Sequence, residues 1–283
     1  MKPLLETLQS GTEYLVRKGV EDARLNMEHL LAHVLGCRRL DLYLRFNQML
    51  HEDELTQLRG ILRKRGEGTP LQHLLGTVEF FGHEFICDGR ALVPRPETEH
   101  LVHLLVSERF REAPPSSILD MGAGSGCIGL SLAKAWPQAE VTLADISEDA
   151  LELTRLNAGR LGLSSQTVRT LRSDLFEKIT SEFDLIVANL PYIPRGELAT
   201  LSREVRRDPT SALDGGDSGL EIVERFLQTC ATHLTPEGRI ALELGHDQAR
   251  ATIQQLQDLQ FRAIESACDL AGVERFVFAQ RPL

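Results

Sequence analysis

Long apolar runs are missing from this chain of 283 residues. None approaches the roughly 18–20 residues that a bilayer-spanning helix needs, so no membrane role is expected. The first residues, Met1-Lys2-Pro3-Leu4-Leu5-Glu6, contain no apolar signal-peptide core. Cysteine is scarce: five residues, at 37, 87, 127, 230 and 268, with no CxxC pair. That pattern speaks against a disulfide frame and a zinc site. No metal is implied, and a reducing cytoplasm is the expected compartment. Positive charge is also short, with 31 basic against 41 acidic side chains and a net charge of −10. Residues 1–75 are nearly balanced, 11 basic against 10 acidic, and the remainder carries 20 against 31. An acidic main half matches nucleic acid poorly and suits a basic protein partner better. What is present is an ordinary globular composition, 42% hydrophobic and 25% charged.

Residues 2–70 read as helical. Met27, Leu30, Leu31, Val34 and Leu35 follow the stripe of an amphipathic helix. A helix over about 52–65 ends in Arg63-Lys64-Arg65-Gly66, which is ordinary helix C-terminal chemistry. His29 and His33 are one helical turn apart, but no third ligand stands near them in sequence. Val78 to Asp88 read as a hairpin turning at Gly82-His83. The block Pro94-Arg95-Pro96-Glu97-Thr98-Glu99 reads either as a helix entry, its acids near the positive dipole end, or as the wall of a site.

From Ser117 onward, strand and helix alternate. Strands are expected at 117–121, 140–145, 167–172, 184–188, 238–244, 260–266 and 273–279. Helices are expected near 126–136, 147–161, 219–235 and 248–258. The fold class is therefore α/β: a seven-stranded, doubly wound sheet with an N-terminal helical bundle. The short link Asp269 to Gly272 makes the last strand antiparallel. The expected domains are 1–75 (helical), 76–92 (hairpin linker) and 93–283 (sheet domain).

The stretch Asp120-Met121-Gly122-Ala123-Gly124-Ser125-Gly126 is a strand end, a glycine turn and a helix start. Gly124 to Gly129 matches the dinucleotide fingerprint literally, and Asp145 lies where its ribose acid would be. The turn, however, starts at Gly122, and Asp120 just before it would oppose a pyrophosphate while welcoming a cation. S-adenosylmethionine has a sulfonium and an ammonium and no phosphate. On this reading Asp120 attracts its methionine portion, Asp145 accepts from the ribose hydroxyls, Asp174 accepts from the adenine amine and Leu175 covers the ring. Taken singly, each acid could instead be a helix N-cap.

Leu185-Ile186-Val187-Ala188 is a short apolar run suited to a buried parallel strand. Asn189-Leu190-Pro191-Tyr192 then falls at its carboxyl end, where open α/β sheets bind ligands. The Asn189 side chain and the Leu190 carbonyl offer two acceptors for a planar –NH2 group, and Tyr192 offers a stacking face. Such a set orients a weak nitrogen nucleophile without a covalent intermediate. The plain alternative is a strand-to-loop turn capped by Asn and ended by Pro.

Together these residues resemble the HemK/PrmC family, the protein-(glutamine) methyltransferases of peptide chain release factors. The likeness also takes in Gly76-Thr77-Val78-Glu79-Phe80, the Pro94–Glu99 block, Ala212-Leu213-Asp214-Gly215-Gly216 and Leu242-Glu243-Leu244-Gly245. It implies a Rossmann-like methyltransferase sheet, S-adenosylmethionine as cofactor and release factors as protein substrates. By position it implies that Gly122, Ala123, Gly124, Ser125 and Gly126 hold the cofactor, with Asp145 at the ribose and Leu175 at the adenine. Asn189 and Leu190 would hold the glutamine amide, Tyr192 would pack on it, and Pro191 lies between. The family's usual motif is Asn-Pro-Pro-Tyr, so Leu190 removes one ring's restriction on the backbone. Arg207-Asp208-Pro209 stands where Glu-Pro is commoner. The expected substrate is the glutamine of the Gly-Gly-Gln loop, and the expected state is a monomer with no direct nucleic-acid contact. The rival readings are a nucleic-acid amino-group methyltransferase, with Tyr192 stacking a flipped base, and a non-catalytic nucleotide-binding module.

Overall fold

The computed structural model describes residues 1–283. The chain divides into two compact units, Met1–Thr77 with Leu201–Arg207, and Val78–Thr200 with Asp208–Leu283. No helix in either is long and apolar enough to cross a membrane.

The first unit contains α1 (Leu4–Arg17), α2 (Ala23–Val34), α3 (Glu52–Gly66) and α4 (Leu71–Leu75). It departs from the all-helical expectation at one point: β1 (Lys2–Pro3) pairs with β2 (Met49–Leu50) in a two-residue antiparallel ladder. Met27, Leu30 and Leu31 of the predicted stripe are fully buried with Leu4, Leu15, Leu42 and Leu50. Val34 and Leu35, at the end of the stripe, pack only at its margin. Arg63, Lys64 and Arg65 stand in the last turn of α3 as expected, and Arg65 has a further role. It is buried and donates to Asn26 Oδ1 at 2.7 Å, Thr69 O at 3.2 Å and Glu204 Oε2 at 2.8 Å. Glu204 belongs to a return of the chain into this unit, where Arg203 also donates to the Lys18 carbonyl and Arg207 to the Glu67 carbonyl.

The second unit opens at Val78, within the hairpin β3 (Thr77–Phe80) and β4 (His83–Ile86). Its turn residues are Phe81 and Gly82, with φ of 51° and 70°. The turn thus lies one residue earlier than predicted, since a two-residue hairpin turn of this kind needs positive φ at both positions. Helix α5 (Pro96–Leu104) begins with Pro96 in its first turn, beside Glu97 and Glu99. A proline there loses no hydrogen bond, and the acids face the positive dipole end.

The sheet contains β5 (Ser117–Met121), β6 (Glu140–Asp145), β7 (Val168–Arg172), β8 (Phe183–Asn189), β9 (Leu234–Glu243), β10 (Arg262–Cys268) and β11 (Glu274–Gln280). Between them lie α6 (Cys127–Ala135), α7 (Glu148–Arg160), α8 (Glu221–Cys230) and α9 (Ala249–Asp258). The spatial order is β10-β11-β9-β8-β5-β6-β7. Pairs from β9 across to β7 are parallel, and β11 runs antiparallel to both β9 and β10, as expected. The chain starts at β5 in mid-sheet, winds out to β7, and returns to β8 on the other side of β5. The strand order therefore reverses between β5 and β8, and their carboxyl ends form a topological switch point.

Strand β8 shows why a continuous apolar run was needed. Leu185 and Val187 face the core under α5 and α6, while Ile186 and Ala188 face the core under α8 and α9. All four are fully buried, so alternation of apolar and polar residues would have failed on one face or the other.

Candidate active site

A cavity of about 380 Å³ opens at the switch point. That volume lies within the range of small-molecule sites. Its floor is the turn after β5. Gly122, Gly124 and Gly126 have φ of 75°, 56° and 81°, a region that side chains with a Cβ avoid. The Gly122 and Ala123 amides donate to the Ala144 carbonyl at 2.8 and 3.0 Å. Gly122, Ala123 and Ser125 line the cavity. Gly124 and Gly126 do not; they supply the turn.

Two side chains of α7 tie this loop down, and sequence reading missed both. Thr154 Oγ1 donates to the Gly124 carbonyl at 2.9 Å. Asn157 Nδ2 donates to the Ser125 carbonyl at 2.9 Å and the Ile86 carbonyl at 3.2 Å, while its Oδ1 accepts from the Ile86 amide at 2.7 Å. One buried amide thus joins the loop to β4.

The acids at the strand tips differ in what they reach. Asp145 lines the cavity. Its Oδ2 accepts from the Gly124 amide and its Oδ1 from the Ser147 amide, each at 2.8 Å. Burial lifts its carboxyl above the usual range against these donors, and each oxygen keeps a lone pair for a ligand. Asp174 and Leu175 also line the cavity. Asp174 Oδ2 accepts from Arg225 at 3.0 Å, a partner that no motif announces. Leu175 is held at φ 45°, with Ser173 Oγ donating to its carbonyl at 2.7 Å. Left-handed leucine is uncommon and marks a backbone fixed by its surroundings.

Asp120 corrects the expectation of direct contact. It is fully buried beneath the loop and is not a lining residue. Its Oδ2 accepts from the Gly129 amide at 2.8 Å, its Oδ1 has no hydrogen-bond partner, and burial lifts the carboxyl to about 7. Its one side-chain hydrogen bond ties the strand end to the start of α6.

On the β8 side, Asn189, Leu190 and Pro191 line the cavity together with Pro94, Arg95 and Thr98. Asn189 Nδ2 donates to Thr98 Oγ1 at 3.0 Å, which leaves Oδ1 as the pole of the amide available to a ligand. The Pro94–Glu99 block is thus both of the things its sequence suggested, a helix entry and a wall. Asp208, of the Arg207-Asp208-Pro209 stretch, braces this wall. Its buried carboxylate accepts from Arg95 at 2.7 Å and from the Val93 amide at 3.4 Å, fixing the wall. Leu190 is 5% exposed, and its Cδ2 would lie 3.1 Å from a Cβ on Gly122. Its side chain therefore fills the space against the loop.

Tyr192 follows the lining residue Pro191 and is half-buried. Burial pushes its hydroxyl up to about 12, with Glu243 adding to the shift and Arg275 and Arg95 opposing it. The backbone here is crowded: a Cβ on Gly215 would lie 2.7 Å from Tyr192 Cα and 2.8 Å from the Pro191 carbonyl. The bridge from Ile193 to Asp214 needs that glycine.

Known proteins match over the same parts. The model of the PrmC N-terminal domain matches residues 6–76, and that of the methyltransferase small domain matches 98–205. The release factor glutamine methyltransferase of Geobacter sulfurreducens is 40% identical over 267 residues, 93% of this chain and 92% of that protein. The one from Deinococcus radiodurans is 40% identical over 278 residues, 98% of each. The chain belongs to the release factor glutamine methyltransferase family. Among solved structures, a methyltransferase from Pyrococcus furiosus superposes with a TM-score of 0.54 at 20% identity, over 72% of this chain and 91% of that one. At that identity the likeness shows the shared methyltransferase fold, and the family assignment rests on the full-length relatives.

Proposed function

We propose that this protein transfers a methyl group from S-adenosylmethionine to the side-chain amide nitrogen of the glutamine in the Gly-Gly-Gln loop of peptide chain release factors. The observation that carries the reading is the pairing of Asn189 with Thr98 at the wall of the cavity, on the same strand end as the Leu190 carbonyl. Two acceptors on one buried strand end suit both N–H bonds of a primary amide. An amide nitrogen is a weak nucleophile, so the gain comes from aiming it and from acceptors that favour positive charge growing on it. No strong base is needed, because the nitrogen becomes acidic once methylated.

The cavity fits the cofactor. Its floor is a glycine loop over a buried carboxyl with an unpartnered oxygen, Asp120 Oδ1, suited to a cationic rather than a phosphate group. Gly122, Ala123 and Ser125 would lie along the cofactor, Asp145 would accept from its ribose, and Asp174 with Leu175 and Ile146 would border its adenine. When bound, S-adenosylmethionine supplies a methyl group on positively charged sulfur. Tyr192, half-buried just past the strand end, would pack on the amide. The helical unit, on this reading, docks the protein substrate. Mass mapping of a release factor after incubation with the enzyme and cofactor tests the proposal: one methyl on the glutamine is expected, and a methyl on any other residue would refute it.

A further inference from the structure

The register of β8 against β9 sets Asn189 opposite Glu243. Glu243 is 2% exposed, deep in the unit at the carboxyl end of β9. Its Oε2 has no hydrogen-bond partner. A buried acid in such a place is costly and calls for a reason. The side chains that stabilise its charged form are those of Thr98, Arg275 and Asn189. Thr98 Oγ1 already accepts from Asn189 Nδ2 at 3.0 Å, so the single Thr98 hydrogen is left for an acceptor, and an ionised Glu243 is one. The second Nδ2 hydrogen of Asn189 has the same option.

We propose that Glu243 is a positioning residue for methyl transfer, acting through Thr98 and Asn189. Ionised, it keeps the Thr98 hydroxyl and the Asn189 NH2 pointing away from the substrate as donors. The Asn189 amide then has one orientation, with Oδ1 presented to the substrate N–H. Protonated, the same carboxyl becomes a donor, and the direction of the chain is no longer fixed. The inference rests on the function proposed above.

Burial lifts the Glu243 carboxyl to about 7, which places the change within the range of an enzyme assay. The other ionisable groups facing it are Glu97 on α5, Cys127 on α6, Tyr192 after β8 and Arg275 on β11. Cys127 and Tyr192 are pushed to about 12 and stay neutral near pH 7. Asp120, lifted to about 7 as well, is the rival source of an acid limb.

The test is a steady-state comparison of the wild type, Glu243→Gln, Thr98→Val and Thr98→Ser, with a release factor as substrate. S-adenosylhomocysteine affinity is measured by calorimetry on each. Glu243→Gln and Thr98→Val are expected to lower kcat about tenfold or more, since misplacement on the ångström scale costs up to 10²-fold. Cofactor-analogue affinity should stay within about twofold, because neither variant touches the glycine loop. Thr98→Ser, which keeps the hydroxyl, should recover most of the lost rate. The acid limb of the wild-type kcat profile should be absent in Glu243→Gln and present in Asp120→Asn. An unchanged kcat or a surviving acid limb in Glu243→Gln would overturn the proposal. So would a Thr98→Ser variant as slow as Thr98→Val, or analogue affinity lost together with rate. Failure of the wild type to label the release factor would instead refute the activity itself.

Discussion

Replacing Asn157 by alanine should damage the protein without touching any ligand. Its side chain satisfies three backbone groups at once: the Ile86 amide, the Ile86 carbonyl and the Ser125 carbonyl. The residue is fully buried, so water cannot easily replace it. At about 1 kcal/mol net for each hydrogen bond, the loss is about 3 kcal/mol, and more if the Ser125 carbonyl is left dry. For a domain of this size that is a fall in Tm of about 6–12 °C. Asn157→Asp sharpens the test. Its second oxygen would face two carbonyl oxygens where an NH2 now donates, so the charged form is disfavoured in the fold and the carboxyl's pKa is raised. The penalty is absent below the unfolded value of about 3.9 and grows as pH rises toward the folded value. Asn157→Asp should therefore approach the wild type at pH 4 and be no better than alanine at pH 8. Thermal unfolding followed by circular dichroism at both pH values reads this directly. An alanine variant within about 0.5 kcal/mol of wild type, the range of neutral surface changes, would refute the reasoning.

Gly129→Ala should be destabilising by about 1–3 kcal/mol in urea unfolding, because a Cβ there would lie 2.9 Å from both Asp120 Oδ2 and Leu143 Cδ2. Asp208→Ala should cost about 2 kcal/mol, below the full loss of a buried pair, since Arg95 keeps about a third of its side chain exposed; it should also raise the KM for the release factor by loosening the Pro94–Thr98 wall. Asp120 is raised to about 7 by burial, so its contribution to stability is most favourable below about pH 4 and is lost as pH rises toward 7; Asp120→Asn should flatten that part of the stability-pH curve relative to wild type. Leu190→Pro should change kcat by less than about threefold, since Asn189 is already fixed by Thr98 and the carbonyl at 190 remains; a large gain would show that the ring's stiffness matters more than the packing Leu190 provides.

Much of the second unit was legible because its requirements are local. An apolar run without alternation, as in Leu185–Ala188, has no good place except a strand buried on both faces. Three glycines in alternate positions have no good use except a turn with positive φ. The link Asp269–Gly272 is too short for a parallel crossover. What escaped was long-range. Asn157 and Thr154 look like ordinary polar positions on an exposed helix face, and only the packing of α7 on the glycine loop gives them a role. Arg225 meets Asp174, and Asp208 meets Arg95, across separations of 51 and 113 residues. Asp120 was legible as a residue that matters but not as one that lies beneath the glycine loop. A residue at a strand end can point into the site or under it, and side-chain alternation settles which only when the register is known. The return of residues 201–207 into the helical unit likewise depends on Arg65, a partner 139 residues away from Glu204.

The central claim is that the nitrogen held at Asn189 and Leu190 is a glutamine amide on a release factor. The most direct measurement is transfer of labelled methyl from S-adenosylmethionine to a purified release factor and to its variant with alanine in place of the Gly-Gly-Gln glutamine. The account predicts label on the wild-type substrate and none on the variant. Equal label on both, or label that appears only on tRNA, rRNA or DNA, would contradict it.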